Sequence, residues 1–105
     1  MRIVIKRVNQ KPEVKEVANE LHELQSIVGG YLETVLISND PLLLCVCNEE
    51  GKLQGLEPNF IFGNDVIVGD VFFCGANEED FTSLDDAQVN WLLHIFDMME
   101  KWNVT

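Results

Sequence analysis

The chain has 105 residues, 47% of them apolar and 24% charged, the size and composition of one domain with a single core spanning residues 1–105. Eighteen Asp and Glu against seven Lys and Arg leave a net charge of −11, which excludes direct nucleic-acid binding unless the few cations gather in one place. No run of about 18 apolar residues occurs and Met1 leads straight into Arg2-Ile3-Val4-Ile5-Lys6-Arg7-Val8, so neither a membrane span nor a signal peptide is read, and the expected location is the cytoplasm.

The alternation in that first segment predicts a strand over residues 2–8. Asn9 to Pro12 supplies a turn, and Glu13-Val14-Lys15-Glu16-Val17 reads as a short polar edge strand. Leu21, Leu24 and Ile27/Val28 recur at helical spacing, which predicts a helix over about residues 20–28 with Asn19 as N-cap and Gly29-Gly30 as its stop. Residues 31–37 are rich in β-branched and aromatic types, Ser38-Asn39-Asp40-Pro41 is a turn cluster, and residues 42–47 are apolar on both faces. The pair reads as a β-hairpin whose second arm lies centrally in a sheet, covered on both sides.

Glu49 to Lys52 is a polar turn. Gly55 and Pro58 break any pattern between Leu53 and Phe62, which predicts a loop anchored by Phe60 or Phe62. After Gly63-Asn64-Asp65, one last strand is expected over Val66–Phe73, with a bulge at Gly69. Ser83 and Asp86 fit a capping box for a helix from about Leu84 to Trp102. At ~100° per residue its apolar side chains, among them Trp91, Phe96, Met99 and Trp102, cover an arc of about 240°. A helix lying on one sheet needs a stripe only a little over 100° wide, so loops of the same chain, a second copy or a partner must bury the excess. The fold class is α+β: an antiparallel or mixed sheet of about four to five strands with two helices, the longer one C-terminal.

Charge is distributed unevenly. Residues 1–15 carry Arg2, Lys6, Arg7, Lys11 and Lys15 against Glu13, a net +4, while the remaining 90 residues carry a net −15 with runs at Glu49-Glu50, Glu78-Glu79-Asp80 and Asp85-Asp86. Such a surface serves solubility, and it also attracts cationic surfaces at rates that fall with salt.

Few residues carry the pattern of a reaction. Cys45-x-Cys47 lacks zinc-knuckle or redox spacing, Cys74 is remote, and three thiols without an export signal read as reduced core residues. His22 and His94 lack spaced partner ligands, and the acidic runs lack the calcium-loop pattern, so no metal or cofactor is expected. Gly29-Gly30 follows a helix instead of preceding one, and Ser26, Ser38 and Ser83 stand outside a nucleophile elbow. The chain does not read as an enzyme.

The ordered series Val28-Gly29-Gly30-Tyr31-Leu32-Glu33, Cys47-Asn48-Glu49-Glu50-Gly51-Lys52-Leu53, Gly55-Leu56, Pro58-Asn59, Asp65-Val66-Ile67-Val68-Gly69 and Glu79-Asp80-Phe81-Thr82-Ser83-Leu84 spans nearly the whole chain. It resembles domain-of-unknown-function family 3846, small proteins common in phages and mobile elements of bacteria. The family pattern implies a helix ending in Gly-Gly-Tyr, a hairpin around Asn-Glu-Glu-Gly-Lys and a terminal helix after Phe-Thr-Ser-Leu. It implies a setting in a bacterial host cell and no mechanism. The aromatic terminal helix and Cys45-x-Cys47 depart from the pattern, as in a specialised member with its own partner.

Two functional expectations follow. The first is an acidic interaction protein that binds and occludes a host protein with a basic surface, inhibiting a nucleic-acid-handling defence system of anti-CRISPR or antirestriction type by charge mimicry. Its contact residues would be Glu49, Glu50, Glu78, Glu79, Asp80, Asp85, Trp91, Phe96, Met99 and Trp102, with homodimerisation through the terminal helix as a variant. The second is a homo-oligomeric binder that sequesters a nucleotide signal, with Arg2, Lys6 and Arg7 on phosphate and Tyr31 stacking on the base. A plain regulatory or structural accessory would show neither behaviour.

Overall fold

A computed structural model of the chain describes residues 1–102, with side chains as far as residue 101. The elements in order are β1 (Arg2–Lys6), β2 (Glu13–Glu16), α1 (Leu21–Val28), β3 (Leu32–Asn39), β4 (Leu42–Asn48), β5 (Pro58–Phe62), β6 (Asp65–Val68), β7 (Val71–Ala76), β8 (Phe81–Thr82) and α2 (Asp86–Trp102). The main sheet is antiparallel at every pairing and runs β2-β1-β7-β4-β3, with β8 added to the end of β7. The class is α+β as expected, with two helices of which the C-terminal one is longer.

Strict alternation sorts the sheet's side chains onto two faces. Ile3, Ile5, Val46, Phe72 and Cys74 point to one face, where Leu24 and Val28 of α1 cover them. Val4, Leu43, Cys45, Phe73 and Val71 point to the other, where Leu92 and Phe96 of α2 lie over them. The doubly apolar β4 is an interior strand, as its composition predicts.

The sequence reading needs four corrections. Leu53–Phe62 is not all loop: Pro58–Phe62 is β5, paired with β6 in a separate two-stranded sheet, and Phe60 is its anchor. Val66–Phe73 is not one strand: it breaks at Gly69, whose φ of +75° turns the chain from the small sheet into the main one. A Cβ there would also lie 2.7 Å from Leu56 Cδ1. The cap of α1 is Glu20, whose carboxylate accepts from the His22 and Glu23 N–H groups, while Asn19 donates to the Phe81 carbonyl. The capping box of α2 sits two residues later than Ser83/Asp86. Asp85 Oδ1 accepts from Gln88 N–H at 2.7 Å and Gln88 Oε1 from Asp85 N–H at 3.0 Å; Ser83 Oγ instead accepts from Arg2 N–H.

The hairpin of β5 and β6 settles how most of the wide apolar arc of α2 is covered. Phe60 packs on the Phe96 ring edge-to-face at 5.2 Å, and both rings meet Phe73, so α2 lies in a trough with the sheet on one side and the hairpin on the other. Alternation put Phe60 and Ile67 inward, but a Gly- and Pro-interrupted segment concealed the strand. No helix among the described residues is long and apolar enough to cross a membrane.

Candidate interaction surface

The end of the sheet where β7 stops and α2 begins gathers most of the expected acidic contacts. Asn77 organises the turn after β7: its Oδ1 accepts from the Glu79 and Asp80 N–H groups, each at 2.9 Å, and its own N–H donates to the Asp80 carbonyl. With the backbone so engaged, Glu78, Glu79 and Asp80 are displayed to solvent, and among the described residues no cation pairs with them. Asp85, also exposed, follows β8 on the same side and closes the α2 cap. The signal for this turn was Asn77 itself, an Asx-turn former directly before the acidic run.

The basic N-terminal segment does not survive as a cationic patch. Arg2 Nη1 pairs with Asp86 at 2.7 Å while Nε and Nη2 donate to the Leu84 carbonyl, which ties β1 to the start of α2. Arg7 pairs with Glu13 at 2.8 Å across the β1–β2 turn. Lys6 Nζ donates to Asn59 Oδ1 and the Arg7 carbonyl and sits 5.6 Å above the Phe96 ring. Burial holds its pKa below the ordinary lysine value, opposed by Asp70 and Glu100. Lys11 and Lys15 are exposed beside Glu13 and Glu16, so that edge carries little net charge.

Along α2, Phe96 is 6% exposed and lies in the core, so it offers no contact face, while Met99 is half-buried against that core. Trp91 is 47% exposed and Met98 39% exposed; they are the apolar remainder that the trough leaves uncovered. Trp91 lies six residues beyond Asp85, about 9 Å along the axis and about 120° round it, in the first half of α2. The side chain of Trp102 lies outside the described residues.

The remaining expected contacts are elsewhere. Because β4 and β7 are antiparallel, Glu49 and Glu50, which follow β4, stand at the opposite end of the sheet from Glu78, Glu79 and Asp80. Tyr31, directly before β3, is three strands away from β1, so it does not share a site with Arg2, Lys6 and Arg7. It lines instead an open cleft of about 200 Å³ with Gln25, Gly30, Asn48, Glu50 and Gln54. Asn48 is buried and fully used there: its Nδ2 donates to Val28 O and Gln54 Oε1, and its Oδ1 accepts from Glu50 N–H. It closes α1 and shapes the next turn, a role that no spacing in the sequence announces.

The three cysteines are buried thiols, as expected of core residues. Burial pushes Cys45 far up, Cys74 up to about 12, and Cys47, which also faces the Glu33 carboxylate, up to about 11. Cys45 and Cys47 share one sheet face and Cys74 lies on the other. His22 and His94 are exposed on separate helices, and among the described residues no three His, Cys, Asp or Glu side chains converge on a common point.

The sequence model of the family described as Domain of unknown function (DUF3846) matches residues 1–99, and the chain belongs to that family. No curated protein and no solved structure matches it.

Proposed function

We propose that this family member is a protein-binding module that docks its acidic end onto a cationic, nucleic-acid-handling protein and occludes the surface where phosphates would bind. The observation that carries the reading is the imbalance at that end. Among the described residues no cation pairs with Glu78, Glu79 or Asp80, whose exposed carboxylates meet only the Phe81 N–H at Asp80 Oδ1, while Arg2 and Arg7 are consumed by pairs within the chain. A preorganised acidic turn competes for a basic groove without paying the ordering entropy of a flexible tail. Trp91, exposed in the first half of the same helix, supplies the large amphipathic side chain on which binding energy concentrates. Glu49 and Glu50 drop out of this contact set on position and Phe96 on burial. A phage or mobile-element setting, with a host defence enzyme as target, is the biological form of the same proposal and is supported by the resemblance described above. The nucleotide-binding alternative has less support, because its three cations are engaged and Tyr31 stands at the far margin.

Displacement tests this reading. Titrating the protein into complexes of labelled DNA with purified bacterial restriction and CRISPR nucleases should release DNA from at least one of them. Release should weaken as salt rises and should disappear when Glu78, Glu79 and Asp80 are all changed to Lys. Release that ignores both salt and this charge reversal would refute the acidic end as the contact.

A further inference from the structure

The margin of the main sheet formed by β3 has properties that the proposed function does not use. In an antiparallel ladder alternate residues turn their N–H and C=O groups toward the neighbouring strand and the rest turn them away. Glu49 N–H donates to the Tyr31 carbonyl at 2.8 Å, and the register pairs Glu33 with Cys47 and Val35 with Cys45. Tyr31, Glu33 and Val35 therefore bond inward to β4, and Leu32, Thr34 and Leu36 present their backbone groups outward. No described strand pairs with that edge; Thr34 is exposed and Leu36 is 47% exposed. The strand has no Pro and no Lys to blunt it, only a bulge between Leu36 and Ser38.

Against one face of this edge opens a cleft of about 270 Å³ between β3, the turn after β4, and β6. Val35, Cys47, Leu53 and Val66 form its apolar wall. Its rim carries the carboxylates of Glu33, Glu49 and Asp65 against a single cation, Lys52, which is already paired with Asp65. Unpaired backbone groups, an apolar wall and an acidic rim thus lie side by side.

We propose that the free edge of β3 and this cleft form one docking site for an extended segment of another protein in which basic and apolar residues alternate. The segment adds as a further antiparallel strand, its backbone bonding Leu32, Thr34 and Leu36. Its apolar side chains lie over Leu32 and Leu36 on one face of the sheet. On the other face its Lys or Arg side chains meet Glu33, Glu49 and Asp65 at the cleft. Charge selects this occupant over a second copy of the chain, because β3 contains one Glu and no cation and each copy carries a net −11. The site is separate from the acidic end of α2, so the two proposals stand or fall independently.

The test is titration with a short, end-capped peptide of alternating Lys and Val, against its Glu and Val counterpart, followed by residue-resolved amide hydrogen exchange. The Lys peptide is expected to bind, to slow exchange at Leu32, Thr34 and Leu36, and to release as salt rises; the Glu peptide is not. Thr34→Pro deletes the central outward N–H without touching the β3–β4 ladder and should weaken binding about tenfold or more. Lys substitution at Glu78, Glu79 and Asp80 should leave peptide affinity unchanged. Absence of binding at millimolar peptide, or binding that leaves those three amides unprotected, overturns the site. So does sedimentation showing a dimer in which they are already protected, which would assign the edge to a second copy.

Discussion

At one margin of the main sheet β2 is four residues long, fully exposed, and three of its residues are charged; at the other β3 is eight residues long with a single charge. β2 gains little from burial and is fastened by its ladder to β1, by the Met1–Val17 backbone pair and by Arg7 reaching Glu13. β3 is fastened by side chains as well, since Val35 and Ile37 pack on the core beneath α2 and the hairpin. The contrast teaches how one sheet can end in two ways. A charged, short strand discourages any newcomer, whereas a long, nearly uncharged one leaves a template whose occupant is chosen by what surrounds it.

The largest expected effect separates the two sides of β3 itself. Val35→Pro removes an inward ladder bond and should cost about 2–3 kcal/mol in urea unfolding. Thr34→Pro, one residue away, should cost less than about 1 kcal/mol. Equal losses would mean that the outer edge of β3 is already paired, and the comparison of margins would break.

On the β1–β2 side, Arg2→Ala should lower stability by about 1–2 kcal/mol, because it strips two bonds from the Leu84 carbonyl as well as one exposed ion pair. Arg7→Ala should cost no more than about 0.5 kcal/mol, since its pair with Glu13 is largely solvated. A larger loss from Arg7 in thermal melts would show that β2 is held by charge more than its exposure implies.

Hydrogen exchange sharpens the contrast without mutation. The inward amides of Glu13 and Lys15 should exchange ahead of those of Glu33 and Val35, because β2 can open without exposing core. The reverse order would make β3 the looser strand.

The smallest effect expected is on acid stability. Bonds from the His22 and Glu23 N–H groups hold the Glu20 carboxyl below its ordinary value, and Lys52 does the same for Asp65 beside the β3 cleft. A carboxyl whose folded pKa is depressed stabilises the protein above its unfolded value and loses that contribution as pH falls through the folded one. Both contributions should therefore fade below about pH 4.5, the upper end of the ordinary carboxylate range. The slope of stability against pH in this window should flatten in Glu20→Gln and in Asp65→Asn. An unchanged slope in both variants would remove these two groups from the account of acid unfolding.

Much of the fold was legible because it rests on periodicity. The alternation of Ile3 and Ile5, the doubly apolar Leu42–Cys47 and the Gly29 stop are local signals, and each marks the element observed. The hairpin around Phe60 was not legible, since Gly55 and Pro58 imitate a loop and the strand gains order only by packing on Phe73 and Phe96. Cap positions shifted for a related reason: Asn19 and Ser83 are good local caps, but tertiary partners, the Phe81 carbonyl and the Arg2 N–H, claimed them. For the candidate surface, sequence located the acidic runs and the apolar arc that holds Trp91, but did not separate exposed Trp91 from buried Phe96. It could not say that Glu49 and Glu50 face away from Glu78 to Asp80, because strand order decides which ends of the sheet coincide.

The sequence by itself determined the α+β class, the two helices, the interior place of β4 and the excess of acid, because spacing and composition are properties of neighbouring residues. Only the tertiary structure decided that the basic N-terminal segment is neutralised, that α2 lies in a trough of its own chain's making, and that one sheet margin pairs with no strand among the described residues. Ion pairing, burial and strand order join residues far apart in sequence, and no local pattern carries that information.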